Sequence, residues 1–340
     1  MKSQSRYKAG SPLRESFPTE VLREADKFGS HIKQQDTAGR KDCRHDSVVS
    51  IDPSSALDLD DAFSLQRTRG KRWKLRVHVA DVSHYVRPNS QLDREARLRG
   101  NSTYLVERVI PMLPSSLSNG LCSLHPDSDR LTKCVEFTLT DDGKVLETRF
   151  FSAFIRSKRR FTYHEAMDII RGTQPGHLET MLRSSDRLAQ KIRAQRIRSG
   201  SLEFQSREIR LLLNRRGRVK AIEPVIHDRA HQLIEEFMLL ANEAVATHLS
   251  KLQRVTIHRS HDKPDLARLR KFRGSLRRHQ IPCGKLNSRQ EFQSLMTSLS
   301  RTPAGPALQI GLLRTLPRAR YTTRPNGHFG LAKDHYVHFT

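Results

Sequence analysis

Residues 51–63 read Ile-Asp-Pro-Ser-Ser-Ala-Leu-Asp-Leu-Asp-Asp-Ala-Phe, which puts Asp52, Asp58, Asp60 and Asp61 within ten positions. Four carboxylates this close repel one another unless cations neutralise them. Mg²⁺ is a hard ion that takes oxygen ligands, usually a few carboxylates with water and substrate phosphate completing its octahedron. Two such ions can activate water and stabilise the leaving oxygen of a phosphodiester. The D-x5-D-x-D-D spacing suits that need, with Asp52 following a strand and the later three on a turn where their side chains converge. A calcium loop of the EF-hand type fits poorly, because its central Gly and terminal Glu are missing. The plain alternative is a solvated acidic turn, the ordinary setting of clustered Asp.

The 340-residue chain as a whole is strongly basic: 61 Lys and Arg against 36 Asp and Glu give a net charge of +25. Such a surplus repels itself in a compact state unless a polyanion neutralises it, and nucleic acid is the common one. Basic residues concentrate between positions 183 and 220, among them Lys191, Arg193, Arg196, Arg198, Arg207, Arg210, Arg215 and Arg216, with a second run over 268–285. Either run is a solvated surface or a track for phosphates. A basic track leading to a metal site favours a metal-dependent phosphodiesterase or phosphotransferase. The four cysteines are far apart, with no C-x-x-C pair, and suit reduced thiols without chemistry. No apolar run is long enough to span a bilayer and the N-terminus lacks a signal-peptide core, so the expectation is a cytoplasmic protein with no membrane partner.

The elements that must position the carboxylates follow from periodicity. Residues 1–45 are polar and charged and are expected to be an N-terminal extension or linker, with one short amphipathic piece at 19–25. From Val48 the pattern becomes that of strands: 48–51, 73–80, and a hairpin formed by 134–140, Asp142-Gly143 and 145–146. Beyond Tyr163 the period lengthens to that of helices. It is clearest in Ala230, Leu233, Ile234, Phe237, Ala241, Ala244 and Val245, which follow Asp228 as N-cap. Strands first and helices later predict an α+β fold, with a mixed sheet in the N-terminal half. On that same helix His227, His231 and Glu235 fall at i, i+4 and i+8, a spacing that could also hold zinc.

Several blocks resemble the RNB catalytic domain of the ribonuclease II and ribonuclease R exoribonucleases. They are residues 51–63, ADVSHYV at 80–86, RVIPMLP at 108–114, LSNGLCSL at 117–124, GSLEF at 200–204, HQLIEEFM at 231–238, HDKP at 261–264 and GHFGLA at 327–332. The resemblance covers residues from about 40 to the end, and 46–340 are expected to form the domain. It implies Mg²⁺-dependent, hydrolytic degradation of single-stranded RNA from the 3′ end, releasing nucleoside 5′-monophosphates. By the same resemblance Asp52, Asp58, Asp60 and Asp61 are the metal-binding and catalytic carboxylates, with Asp60 the most critical. Tyr104 and Phe204 match aromatics that sandwich the 3′-terminal bases, Tyr163 matches a third aromatic near that end, and the block holding Glu235 and Glu236 supplies a nucleotide-contacting Glu.

The family pattern continues beyond Thr340 into a Ser-Pro-x-Arg segment, whose Arg contacts the scissile region, and into further domains that guide RNA. The expectation is therefore a domain incomplete at its C-terminus, impaired in activity, or completed by a second chain. The competing reading is a catalytically inactive RNA-binding module that keeps the basic channel and the aromatics. A basic scaffold for DNA or membranes is a third, and would not distinguish ribose from deoxyribose.

Overall fold

The computed structural model describes residues 13–106, 108–172, 175–203, 208–214 and 217–340. Its centre is a seven-stranded mixed sheet of β1 (Lys41–Asp42), β2 (Val49–Asp52), β3 (Asp61–Thr68), β4 (Arg72–Ala80), β7 (Asp129–Leu139), β8 (Val145–Arg156) and β9 (Arg159–Thr162). The spatial order is β1-β8-β7-β4-β3-β2-β9. The β3–β4, β4–β7 and β7–β8 ladders are antiparallel, whereas β1 on β8 and β9 on β2 are parallel. Strands β5 (Thr103–Tyr104) and β6 (Val109–Ile110) form a separate small ribbon. The expected hairpin is β7–β8. Its turn needs Gly143, which sits at φ +87°, where a Cβ would also come within 2.8 Å of the Ile192 side chain.

One sheet face carries Phe63, Leu65, Leu75, Val77, Val135 and Phe137 into a core shared with helices α4 (Tyr163–Arg171), α5 (His177–Arg198) and α6 (Arg229–Lys251). Helix α6 begins as its sequence requires: the Asp228 carboxylate accepts from the N–H groups of Ala230 and His231. Its stripe of Ala230, Leu233, Phe237 and Ala241 is fully buried, and Phe237 meets Phe63 edge to face at 5.3 Å. A buried Phe of this kind contributes about 1.5–3 kcal/mol, so the stripe holds α6 to the sheet.

The opposite face packs on a second cluster. It includes Val21 and Ala25 from α1 (Thr19–Asp26) and Leu92 from α3 (Gln91–Arg99), with α2 (Val82–Tyr85) beside them through Tyr85. A third cluster is formed by α7 (Leu266–Arg278), α8 (Arg289–Leu299) and α9 (Gly305–Leu313) around Phe272, Phe292 and Leu312. The outlying strand pairs β10 (Glu208–Leu213) with β11 (Val219–Val225), and β12 (His258–Ser260) with β13 (Arg320–Thr322), complete an α+β architecture.

Candidate active site

Asp52 is the last residue of β2 and Asp61 the first of β3, and the two strands are antiparallel neighbours. The connecting loop, 53–60, holds Asp58 and Asp60. Leu59 anchors it: the side chain is fully buried, its N–H donates to Ser123 Oγ at 2.9 Å, and its carbonyl accepts from Leu124 N at 2.9 Å. Ser123 Oγ in turn donates to the Leu57 carbonyl at 2.8 Å, and Ala80 N to the Asp60 carbonyl at 3.0 Å. Because Leu59 is driven inward, Asp58 and Asp60 on either side of it are left at the surface of the loop. The LSNGLCSL block therefore serves the site by holding the acidic loop.

The carboxylates feel one another. Although Asp60 reaches solvent, the protein packed around it strips part of its hydration, and this, followed by repulsion from Asp58 and Asp52, pushes it up to about 6. Burial and the fields of Asp52 and Asp60 push Asp61 up to about 7. Burial also raises Asp52, against the pull of the Arg160 guanidinium. Asp52 Oδ2 is buried without a hydrogen-bond partner. A buried carboxylate oxygen left bare is costly, and a cation relieves both that cost and the mutual repulsion. The donor set, all hard oxygen, fits Mg²⁺. Among the described residues, no three His, Cys, Asp or Glu side chains are gathered tightly enough to close a metal site unaided. Mg²⁺ does not require such closure, since it keeps waters and substrate phosphate in its shell.

Three aromatic candidates meet different circumstances. Tyr104, on β5, is 65% exposed, and its hydroxyl donates to Asp58 Oδ2 at 2.8 Å. Partial burial and that hydrogen bond push the phenol up to about 12, so it stays a neutral donor. Tyr163 starts α4 directly after Thr162, which is paired with Asp52 through the β2–β9 register. Its ring stacks on His231 at 3.7 Å and 6°, and burial with the fields of Asp52 and Asp61 pushes its phenol up to about 12. Phe204 lies outside the described residues, as do Arg207, Arg215 and Arg216 of the first basic run.

The two glutamates of α6 are separated by their burial. Glu235 is exposed, whereas Glu236 is fully buried. Arg196 Nη2 and Nε reach the Glu236 carboxylate at 2.6 and 3.0 Å, and Arg196 also binds Ser201 Oγ at 2.6 Å and Glu203 at 3.2 Å. Arg193 joins Glu203 at 2.7 Å. Part of the first basic run is thus turned inward, holding residues 201–203. His231 Nδ1 donates to the Asp228 carboxylate at 2.8 Å while the ring stacks on Tyr163, and His227 precedes α6, so His231 serves packing and the helix cap. Sequence reasoning missed Arg160, whose Nη2 donates to the Pro53 carbonyl and whose buried Nε has no partner. Its available signal was its place beside Phe161-Thr162-Tyr163, opposite the acidic strand.

A family model described as the RNB domain matches residues 40–340. Ribonuclease R of Escherichia coli strain K12 is 37% identical over 335 residues, taking in 95% of this chain and 41% of that protein. Ribonuclease R of Thermotoga maritima is 36% identical over 339 residues, with 95% and 47% covered. Among solved structures, Mycoplasma genitalium RNase R in complex with ribose methylated single-stranded RNA superposes with a TM-score of 0.90 at 30% identity, over 96% of this chain and 52% of that one. Yeast Ssd1, described as a pseudonuclease, shares the fold with a TM-score of 0.73 at 20% identity, over 91% and 39% of the two chains. The chain spans two fifths to a half of the length of the curated relatives it matches.

Proposed function

The chain belongs to the RNB domain family, and from that premise we propose that it is a Mg²⁺-dependent exoribonuclease that hydrolyses single-stranded RNA from the 3′ end. The observation that carries this reading is the buried, partnerless Oδ2 of Asp52 beside Asp60 and Asp61, two carboxylates held unusually high by burial and mutual repulsion. Asp52, Asp58, Asp60 and Asp61 would hold the metal. Bound there, Mg²⁺ supplies an activated water and charge neutralisation at the phosphate.

The side chains do the positioning. Tyr104 offers an exposed ring to a terminal base, worth ~1–3 kcal/mol per stacked base and indifferent to sequence. Its hydroxyl, fixed on Asp58, ties that base to the acidic loop. Phe204 would supply the second face, and the Arg196–Glu236 pair fixes residues 201–203 just before it. Tyr163, clamped on His231, would close the site near Asp52, and Glu235 would contact the nucleotide from α6. Hydrolysis joins a water oxygen to the terminal phosphorus, breaks its bond to the preceding 3′ oxygen, which takes up a proton, and releases a nucleoside 5′-monophosphate.

A second reading is an RNA-binding module without activity that keeps the basic residues and the exposed ring of Tyr104. The two separate on a 5′-labelled oligoribonucleotide with Mg²⁺. A descending ladder with mononucleotide release, lost in Asp60→Asn, supports the enzyme. Equal behaviour of wild type and Asp60→Asn, with RNA retained by both, overturns it in favour of the module.

A further inference from the structure

Strand β2 pairs with β3 only through Val49 and Phe63. From Ser64 onward β3 has β4 on one side and, among the described residues, no strand on the other, so alternate N–H and C=O groups of that edge have no ladder partner and can serve a ligand. A cavity of about 500 Å³ opens there, bounded by residues 45–47 and by the first turns of α5. It lies at the opposite end of β3 from Asp61, which pairs with Val79, whereas Arg67 at the cavity pairs with Trp73. At about 3.3 Å per residue, Arg67 is roughly 20 Å along the strand from Asp61, so the cavity is separate from the acidic loop.

The two sides of the open edge differ in chemistry. On one side stand Lys74, Arg76 and His45. Arg76 is 8% exposed, fixed by Glu136 at 2.6 Å and by Asp46. The Lys74 side chain makes no hydrogen bond or ion pair among the described residues, its charge reaching Glu136 only at longer range, so its ammonium is available to an anion. On the other side the Arg67 guanidinium, bound to Asp141 at 2.9 Å, lies over the Trp73 indole at 4.4 Å, and the indole packs on the core; His177, held by Ser47 at 2.8 Å, lines the same side. An anion receiver, a guanidinium plane backed by an indole and an open peptide edge between them are the three contacts that a phosphate, a base and the polar rim of a base require. The volume lies within the ~300–1,000 Å³ of small-ligand pockets and suits one nucleotide.

We propose that this cavity binds a nucleoside 5′-monophosphate, with its phosphate on Lys74 and its base on the Arg67 guanidinium that covers Trp73, straddling the open edge of β3. The site is independent of the cleavage reading, since a chain that cuts nothing would still bind.

Trp73 is the chain's one tryptophan, so its fluorescence reports this cavity directly. The protein is titrated with adenosine and cytidine 5′-monophosphates, with adenosine alone and with inorganic phosphate. Saturable quenching by the monophosphates is expected, at least tenfold weaker for the nucleoside or phosphate alone. It should be weakened at least tenfold by Lys74→Ala and by Arg67→Ala, both checked for an unchanged melting temperature, and unchanged in Tyr104→Ala. The proposal is overturned by absent quenching, by phosphate alone binding as well as the nucleotide, or by Tyr104→Ala abolishing the signal, which would assign binding to the acidic site.

Discussion

The Tyr104 hydroxyl donates to Asp58 Oδ2 at 2.8 Å while the ring stays 65% exposed. One side chain thus ties a proposed base platform to a proposed metal carboxylate, and its two halves can be tested apart. Tyr104→Phe keeps the ring and loses the tether; Tyr104→Ala loses both. For a short single-stranded RNA in the absence of divalent metal, anisotropy should show Tyr104→Ala binding weaker by ~1–3 kcal/mol and Tyr104→Phe within about 0.5 kcal/mol of wild type. Equal losses for both would mean that the hydroxyl, not the ring, is the contact.

Metal should act on the fold through the same loop. Asp52, Asp60 and Asp61 are all raised by burial and mutual repulsion, so at pH 8 without metal they destabilise the folded chain. Saturating Mg²⁺ should raise the melting temperature by roughly 3 °C or more, by binding only the folded state. Metal displaces protons from its ligands, so the rise should shrink as pH falls from 8 to 5, through the values of about 7 and 6 for Asp61 and Asp60. Asp61→Asn should melt no lower than wild type in EDTA and lose the Mg²⁺ rise. A Mg²⁺ rise that survives Asp61→Asn would remove this residue from the ligand set.

The buried pair of Arg196 and Glu236 predicts a stability effect without direct contact with substrate. Glu236→Gln or Arg196→Met alone leaves a buried charge uncompensated and should cost ~3–5 kcal/mol in urea unfolding. The double replacement Arg196→Met with Glu236→Leu should recover more than half of that, because no charge is stranded. Full additivity of the single losses would show that the two side chains do not act as a pair.

The acidic loop was legible because its residues are neighbours in sequence, and α6 was legible because its stripe and Asp228 cap are local patterns. Where chemistry depends on chain segments far apart, the sequence carried less. Helical spacing set Glu235 and Glu236 together off the apolar stripe; only the arrival of Arg196, forty positions earlier, explains why one is buried and paired. Parallel pairing of β9 with β2 brings Thr162 beside Asp52, and with it Tyr163 and Arg160, a register that no local pattern encodes. The cavity beside Trp73 arises from β2 leaving β3 after a single pair, which alternation of apolar residues cannot reveal. His231 could be placed on a helix face by counting, but its stacking on Tyr163 needed the packing of α4 on α6.

Acid sensitivity should come from histidines kept neutral by burial. His78 is fully buried, bonded to Thr132 at 3.1 Å, and held down at about 3 by burial and then by Arg76. His328 is held at about 4 by burial and by His261, with Nδ1 accepting from Leu331 N at 3.2 Å. In the unfolded chain both protonate near 6.5. Their contribution to stability is therefore complete above that value and is lost as pH falls through 6.5 toward 4, at up to ~1.4 kcal/mol per pH unit for His78. The raised aspartates work in the opposite sense over the same range, so the comparison is made between wild type and variant at each pH. Urea unfolding at pH 7.5, 5.5 and 4.5 should find His78→Gln less stable than wild type at pH 7.5, with the gap closing as the pH drops. His328→Gln should follow the same course with a smaller slope. A gap that stays constant from 7.5 to 4.5 would mean that these imidazoles take up protons as readily in the folded chain as in the unfolded one.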